Sequence, residues 1–221
     1  MKNRVLLHSL LLINFLSINS CNCQQNNSKN VNDMKLQDSV NKDIPLDKRG
    51  NPSSTFTRAI MTDSILGLEP LHNGFRDTLI RFRFGYDITD TAHIIELKNA
   101  ENQWKAEFYT LIYYQNDKGN FKSIDKKVHS QKPYSGWAKF LKRLYEFEIL
   151  TLPDQSRIAN YPLFTGGEGI TVEIATTNSY RIYFYSNLAH AQEITQARQM
   201  ENILRLIEQE FDFRRLGSGS S

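Results

Sequence analysis

Along this chain the spacing of apolar residues changes from every second position to every third or fourth, and later repeats the change. Leu79-Ile80-Arg81-Phe82-Arg83-Phe84 alternates apolar with basic residues, the period of a half-buried strand. His93 to Leu97 reads as a second strand, and Trp104 to Tyr114, rich in aromatic and β-branched residues, as a third. Asp117-Lys118-Gly119-Asn120 is a turn signal, from which Phe121 to Val128 returns as a fourth strand. The period then changes. Ser135 stands where a helix cap belongs, and Trp137, Phe140, Leu141 and Leu144 share one helical face. Pro153 marks that this helix has ended. Ile170 to Thr176 and Tyr180 to Ser186, joined at Asn178-Ser179, read as a hairpin. Ile194, Ala197, Met200, Leu204, Ile207 and Phe211 then trace a long amphipathic helix. This order predicts an α+β fold: a mostly antiparallel sheet, made of a strand meander plus a C-terminal hairpin, with two amphipathic helices packed on one face. The predicted globular domain runs over residues 58–213, and 214–221 read as a flexible Gly/Ser tail.

A core of that kind has to hold without covalent help. The chain has 221 residues, 40% of them hydrophobic and 11% aromatic, which supplies the material for one sizeable domain. Its only cysteines, Cys21 and Cys23, lie together near one end and cannot staple the body. They follow a distinctive leader. Lys2 and Arg4 precede an apolar run from Val5 to Leu16, which reads as a signal peptide over residues 1–20 and is short for a membrane span. Leu16-Ser17-Ile18-Asn19-Ser20-Cys21 resembles the lipobox of bacterial lipoproteins, with Ile18 three places and Ser20 one place before the cleavage point. The resemblance implies lipidation at Cys21 and anchorage in a membrane. Asn-rich residues 22–57, with nearly balanced charges, lack the apolar surface to offset ordering, so 21–57 is expected to be a lipidated flexible tether. As a coil of 36 residues the tether spans about 30–36 Å.

Within the domain, Arg81-Phe82, Ile94-Ile95-Glu96-Leu97, Trp137 with Leu152-Pro153, Gly167 and Tyr180-Arg181 follow one another at recognisable intervals. This order resembles a loose group of largely bacterial small domains of unknown function, although the aspartate they carry before the turn glycine is absent here. The resemblance implies the α+β fold and carries no activity.

The chemistry classes narrow by elimination. The formal net charge of +3 falls to +1 once Lys2 and Arg4 leave with the leader, which gives no footprint for nucleic acid. His72, His93, His129 and His190 form no metal-spaced pair, so neither a metal nor a cofactor is implied. No serine lies in a G-x-S-x-G elbow. The loop Thr165-Gly166-Gly167-Glu168-Gly169 lacks the Lys-Ser/Thr of a phosphate loop; Glu168 at its tip is the weak acid candidate, and a glycine turn before a strand is the plainer reading. Arg181, Tyr183 and Tyr185 fall on one face of the last strand and offer a binding stripe, or else the face is simply covered. Arg81 and Arg83 make a basic stripe on the outer face of the first strand. Eight basic residues lie between Lys118 and Arg143, and the last helix is acid-rich, so the two either pair or form opposed solvated surfaces. Together these features favour a membrane-anchored lipoprotein of the cell envelope, facing periplasm or exterior. Its domain is expected to bind an envelope protein or glycan without chemistry of its own. An envelope hydrolase acting on cell-wall or glycan material through Glu168, or a structural assembly subunit, are the alternatives.

Overall fold

A computed structural model describes residues 40–86, 90–115, 121–162 and 168–214 of the chain. The leader, Cys21, Cys23, the turn at Asp117–Asn120, Gly166-Gly167 and the last seven residues lie outside these. The elements in order are β1 (Asn41–Asp43), α1 (Ser54–Leu66), β2 (Thr78–Tyr86), β3 (Thr91–Ala100), β4 (Gln103–Gln115), β5 (Phe121–Gln131), α2 (Trp137–Glu146), β6 (Glu168–Thr176), β7 (Ser179–Ser186) and α3 (Thr195–Phe211). The strands form one sheet in the order β1-β7-β6-β2-β3-β4-β5. Every pairing is antiparallel except that of β1 with β7. The fold is therefore α+β, with a meander and a hairpin joined through the β2–β6 pairing.

Alternation along the strands gives the sheet two different faces. On one, Ile80, Phe82 and Phe84 of β2 join Phe108, Val172 and Tyr185 in a core with Phe140 and Leu144 of α2 and with Met200, Leu204, Ile207 and Phe211 of α3. The rings of Trp137, Phe140 and Phe211 meet at centroid distances of 5.1–6.3 Å, edge-on or tilted, as aromatic quadrupoles favour. Ser135 does not cap α2. The cap position is Gly136 (φ 81°), without a side-chain cap bond, and the Ser135 N–H donates instead to Glu210 Oε2 of α3 at 2.8 Å. Arg143 lies 3.7 Å from the same carboxylate, so the basic span and the acidic helix do pair at this point.

The other face carries α1, which the apolar periodicity does not reveal. Ser53 Oγ accepts the Phe56 N–H at 3.3 Å, and Gly67 ends the helix at φ 62°, a left-handed conformation that favours glycine. Only Ala59, Asp63 and Leu66 of α1 are buried. Leu66 joins Ile94, Tyr109 and Leu111, and Ala59 joins Leu71, Leu79, Tyr180 and Ile182. The expected flexible tether through Thr57 is thus corrected from Val40 onward. Val40, Ile44 and Phe56 pack against the Ala59 cluster, and β1 extends the sheet along β7. A segment too polar to build a core of its own is ordered here by its contacts with the sheet and α1. No helix among the described residues is long and apolar enough to cross a membrane.

Candidate functional site

The strand register builds a charged cluster between α1 and the sheet. Arg81 of β2 stands opposite Glu96 of β3 on one side and Glu173 of β6 on the other. All three side chains share the α1 face and are at most 3% exposed. Arg81 Nε donates to Glu96 Oε1 at 2.7 Å, Nη1 donates to both oxygens of Asp63 at 2.9 Å, and Nη2 donates to the Glu69 carbonyl at 3.0 Å. Arg83, two residues along and so on the same face, donates from Nε to Glu173 Oε2 at 2.5 Å and from Nη2 to Asp63 Oδ1. Asp63 therefore clamps α1 to two arginines of one strand. Burial raises the Asp63 carboxyl above the usual carboxylate range, against the pull of Arg83 and Arg81. Burial also opposes the Arg83 charge, yet Glu173 and Asp63 outweigh it and hold the guanidinium charged above its ordinary value.

Tyrosines complete the cluster. Tyr180 donates to Glu173 Oε1 at 3.0 Å, and the Tyr109 hydroxyl lies 3.0 Å from Glu96 and 2.9 Å from Glu107. A phenol carries one proton, so it serves these two carboxylates by turns or by sharing. Burial first, and the adjacent carboxylates second, push both phenols well above their ordinary range, so they remain protonated donors.

One donor of this cluster is left over. Arg83 Nη1 is buried and has no hydrogen-bond partner among the described residues. Leaving such a group unpaired costs about 1–3 kcal/mol, and more where it is charged. Arg83 also lines a cavity of about 290 Å³, walled by α1 through Arg58, Ala59 and Thr62 and by the sheet through Ile94, Leu111, Tyr113 and Thr171. Two glycines help to keep this space open. Gly85 and Gly169 stand opposite each other in the β2–β6 pairing, and both line the cavity. A Cβ on Gly169 would meet the Phe184 ring at 2.7 Å. Gly169 thus serves a close approach within a strand, while Gly166 and Gly167 of the expected glycine turn lie outside the described residues. A second space of about 130 Å³ between Ile65 and Ile124 shares Thr62 and Tyr113 with the first.

The residues singled out from the sequence take other places than expected. The Arg81 and Arg83 stripe is covered and not exposed, because α1 brings Asp63 over it: Arg81 is 0% and Arg83 11% exposed in its side chain. The Arg181, Tyr183 and Tyr185 stripe does share one face, but Tyr183 and Tyr185 are buried in the α2–α3 core. Arg181 donates to the Leu150 and Leu152 carbonyls, the latter at 2.7 Å, and Tyr183 to the Ile149 carbonyl at 2.8 Å. These bonds satisfy the chain as it leaves α2 and offer no binding surface. Glu168 opens β6 opposite Tyr86, within a strand and not at a loop tip. Sequence reasoning misses Asp63, Glu96 and Glu173. For the two glutamates the available signal is a lone carboxylate amid apolar strand residues, as in Ile94-Ile95-Glu96-Leu97 and Thr171-Val172-Glu173-Ile174. Among the described residues no group of three or more His, Cys, Asp or Glu is placed to hold a metal ion. No protein family and no curated protein matches this chain.

Proposed function

We propose that this chain is a lipid-anchored cell-envelope protein whose domain binds a ligand without chemistry of its own, and that the cavity under α1 is the ligand site. The cavity of about 290 Å³ under α1, with Arg83 in its wall, carries the reading. The walls fit the same role, since binding cavities are mostly apolar with a few convergent polar groups. Ala59, Ile94 and Leu111 supply the apolar part, and Arg83, Thr62 and Thr171 the polar part. The anchor rests on the lipobox and Cys21.

Native mass spectrometry of the protein purified from its own envelope tests the site. A bound mass present in the wild type and missing in Ala92→Leu, which fills the cavity from β3, is the expected result. Indistinguishable spectra for the two proteins would count against the cavity. For the anchor, Cys21→Ala should remove incorporated palmitate and release the protein from membranes; an unchanged membrane fraction would defeat that part.

A further inference from the structure

We infer that this chain pairs with a second copy of itself along β5, antiparallel about a two-fold axis at Lys126, so that two seven-stranded sheets join into one. The inference is independent of the cavity and of any ligand in it. β5 closes one side of the sheet, and its outer edge has no partner strand among the described residues. The edge at the other side, β1, is 3 residues long, whereas β5 runs for 11. An exposed edge of that length is a template for another strand unless it is kept short, covered, bulged or broken by proline or charge. β5 contains no proline, and residues 125–130 are exposed along it. Its one bulge, at Lys122, lies near its start, where the register with β4 shifts, and leaves 123–131 regular. Its lysines are the remaining device, and their placement favours one particular partner.

The side chains of β5 complement themselves in one register. With Lys126 on an axis normal to the sheet, residues equally far before and after it face each other, with their side chains on the same face. Asp125 then meets Lys127 twice, Ile124 meets Val128 twice, and Ser123 meets His129. Moving the axis one residue either way sets Asp125 against Asp125 or Lys127 against Lys127, and separates Ile124 from Val128. Like charges directly opposite each other destabilise a pairing, whereas opposite charges and apolar pairs support it. Lys126 also opposes its own copy, but its charge is already engaged elsewhere. Nζ donates to the Leu66 carbonyl at the end of α1 at 2.7 Å and lies 6.0 Å from the centre of the Tyr109 ring, drawn back over its own sheet. Asp125 Oδ2 accepts the Tyr114 hydroxyl at 3.0 Å, and a carboxylate has capacity for a lysine as well. The α1 face supplies the apolar part. Ile124 packs against the Leu66 cluster, while Val128 is 49% and Ile65 60% exposed, so a partner strand over Val128 would carry that cluster across the axis. An acidic strand from another protein would match Lys127 and oppose Asp125, whereas a second copy matches both.

Exchanging the two charges tests the register. The chain from residue 21, with Cys21→Ser in place of the lipidated residue and Cys23→Ser to exclude a disulfide-linked dimer, is measured by sedimentation equilibrium. The expected result is a reversible dimer. Asp125→Lys, which sets lysine against lysine on both sides of the axis, should weaken it at least tenfold, and Lys127→Asp, which sets aspartate against aspartate, should do the same. Mixing these two variants in equal amounts should restore association to near the parent affinity, because every lysine of one then faces an aspartate of the other. Val128→Lys should also weaken the dimer, and neither charge variant should rescue it. The dispersed amide spectrum of each variant shows that it has folded. A parent chain still monomeric at about 1 mM, the scale of concentration that tethering supplies, would overturn the inference. Such a monomer whose β5 amides shift on adding a polyglutamate peptide would assign the edge to another protein instead. A dimer that the two charge variants leave unchanged, or that their mixture fails to restore, would overturn it equally, since its contact would not be this register of β5.

Discussion

The two faces of the sheet solve the same problem by opposite means. Beneath α2 and α3 the contacts are aromatic and aliphatic: Phe108, Phe140, Phe211 and Tyr185 fill the space, and the helices present continuous apolar stripes. Beneath α1 the centre of the contact is ionic, and the helix buries three residues, one of them Asp63. An apolar face tolerates small shifts, since dispersion and burial are non-directional. A guanidinium–carboxylate face does not, because its energy depends on aligned bonds that offset desolvation. The ionic face therefore holds α1 in one position while leaving unfilled volume beside it, and the cavity lies there. The apolar face, packed more fully, leaves a smaller space of about 130 Å³ beside Phe108, Phe211 and Phe213.

Breaking each face separately gives the largest expected effects. Asp63→Ala leaves two buried guanidiniums without their shared partner and should cost about 3–5 kcal/mol. Phe211→Ala should cost about 3–5 kcal/mol on the other face by opening a hole between α2 and α3. Urea denaturation measures both totals, and hydrogen exchange separates them. In Asp63→Ala the amides of α1 should lose protection while those of α3 keep most of theirs; uniform loss across the molecule would mean that the faces do not act separately. A smaller effect is expected at Gly169, where an alanine Cβ collides with the Phe184 ring. Gly169→Ala should cost about 1–3 kcal/mol and shift the amide signals of β7 near Phe184. A stability unchanged in urea would show that the ring moves aside freely.

Which parts are legible in the sequence follows from this difference. β2 to β4, β6, β7, α2 and α3 all contribute to a large apolar core, so their buried positions repeat with the period of their structure. In α1 the buried set is Ala59, Asp63 and Leu66, with Met61 and Ile65 about 60% exposed, so hydrophobicity points away from the buried side. Its ends are the readable signals, Ser53 before it and Gly67 after it. Strand alternation places Arg81 and Arg83 on one face correctly and misjudges their exposure, because it says which side a residue takes and not what lies over it. The Glu96–Arg81–Glu173 row needs both the β2–β3 and the β2–β6 pairings. The second of these joins strands separated by the whole meander and α2, so no local pattern reveals that both glutamates flank Arg81.

Acid should act through two kinds of buried group, with opposite sign. Burial lowers the basicity of His93, which packs edge-on to Phe213 at 5.4 Å, and of His72, which meets Phe56 at 6.2 Å. A histidine with a lowered folded-state pKa contributes stability that is present above its unfolded value of about 6.5 and lost as pH falls below it. The raised carboxyl of Asp63 works the other way, since the folded state holds its proton more tightly and gains relative stability as pH falls through that raised value. Urea midpoints should therefore fall between about pH 7 and pH 5, where the histidines titrate, and His93→Gln should flatten the decline. An unchanged slope in that variant would remove His93 as its source.

The smallest expected effect sharpens the comparison within the apolar face itself. Tyr183 and Tyr185 lie two residues apart on β7, both buried, with ring centroids 6.0 Å apart and perpendicular. Tyr183 donates to the Ile149 carbonyl at 2.8 Å, whereas the Tyr185 hydroxyl is buried with no hydrogen-bond partner among the described residues. Removing the first hydroxyl strands a buried carbonyl, so Tyr183→Phe should cost about 1–2 kcal/mol. Removing the second strands nothing, and Tyr185→Phe should be neutral or stabilising by up to about 1 kcal/mol. Urea denaturation of the two variants side by side decides the matter, because the rings and their packing are the same in both. A Tyr185→Phe loss equal to that of Tyr183→Phe would mean that the Tyr185 hydroxyl is satisfied in solution, and that this face is less purely apolar than its packing indicates.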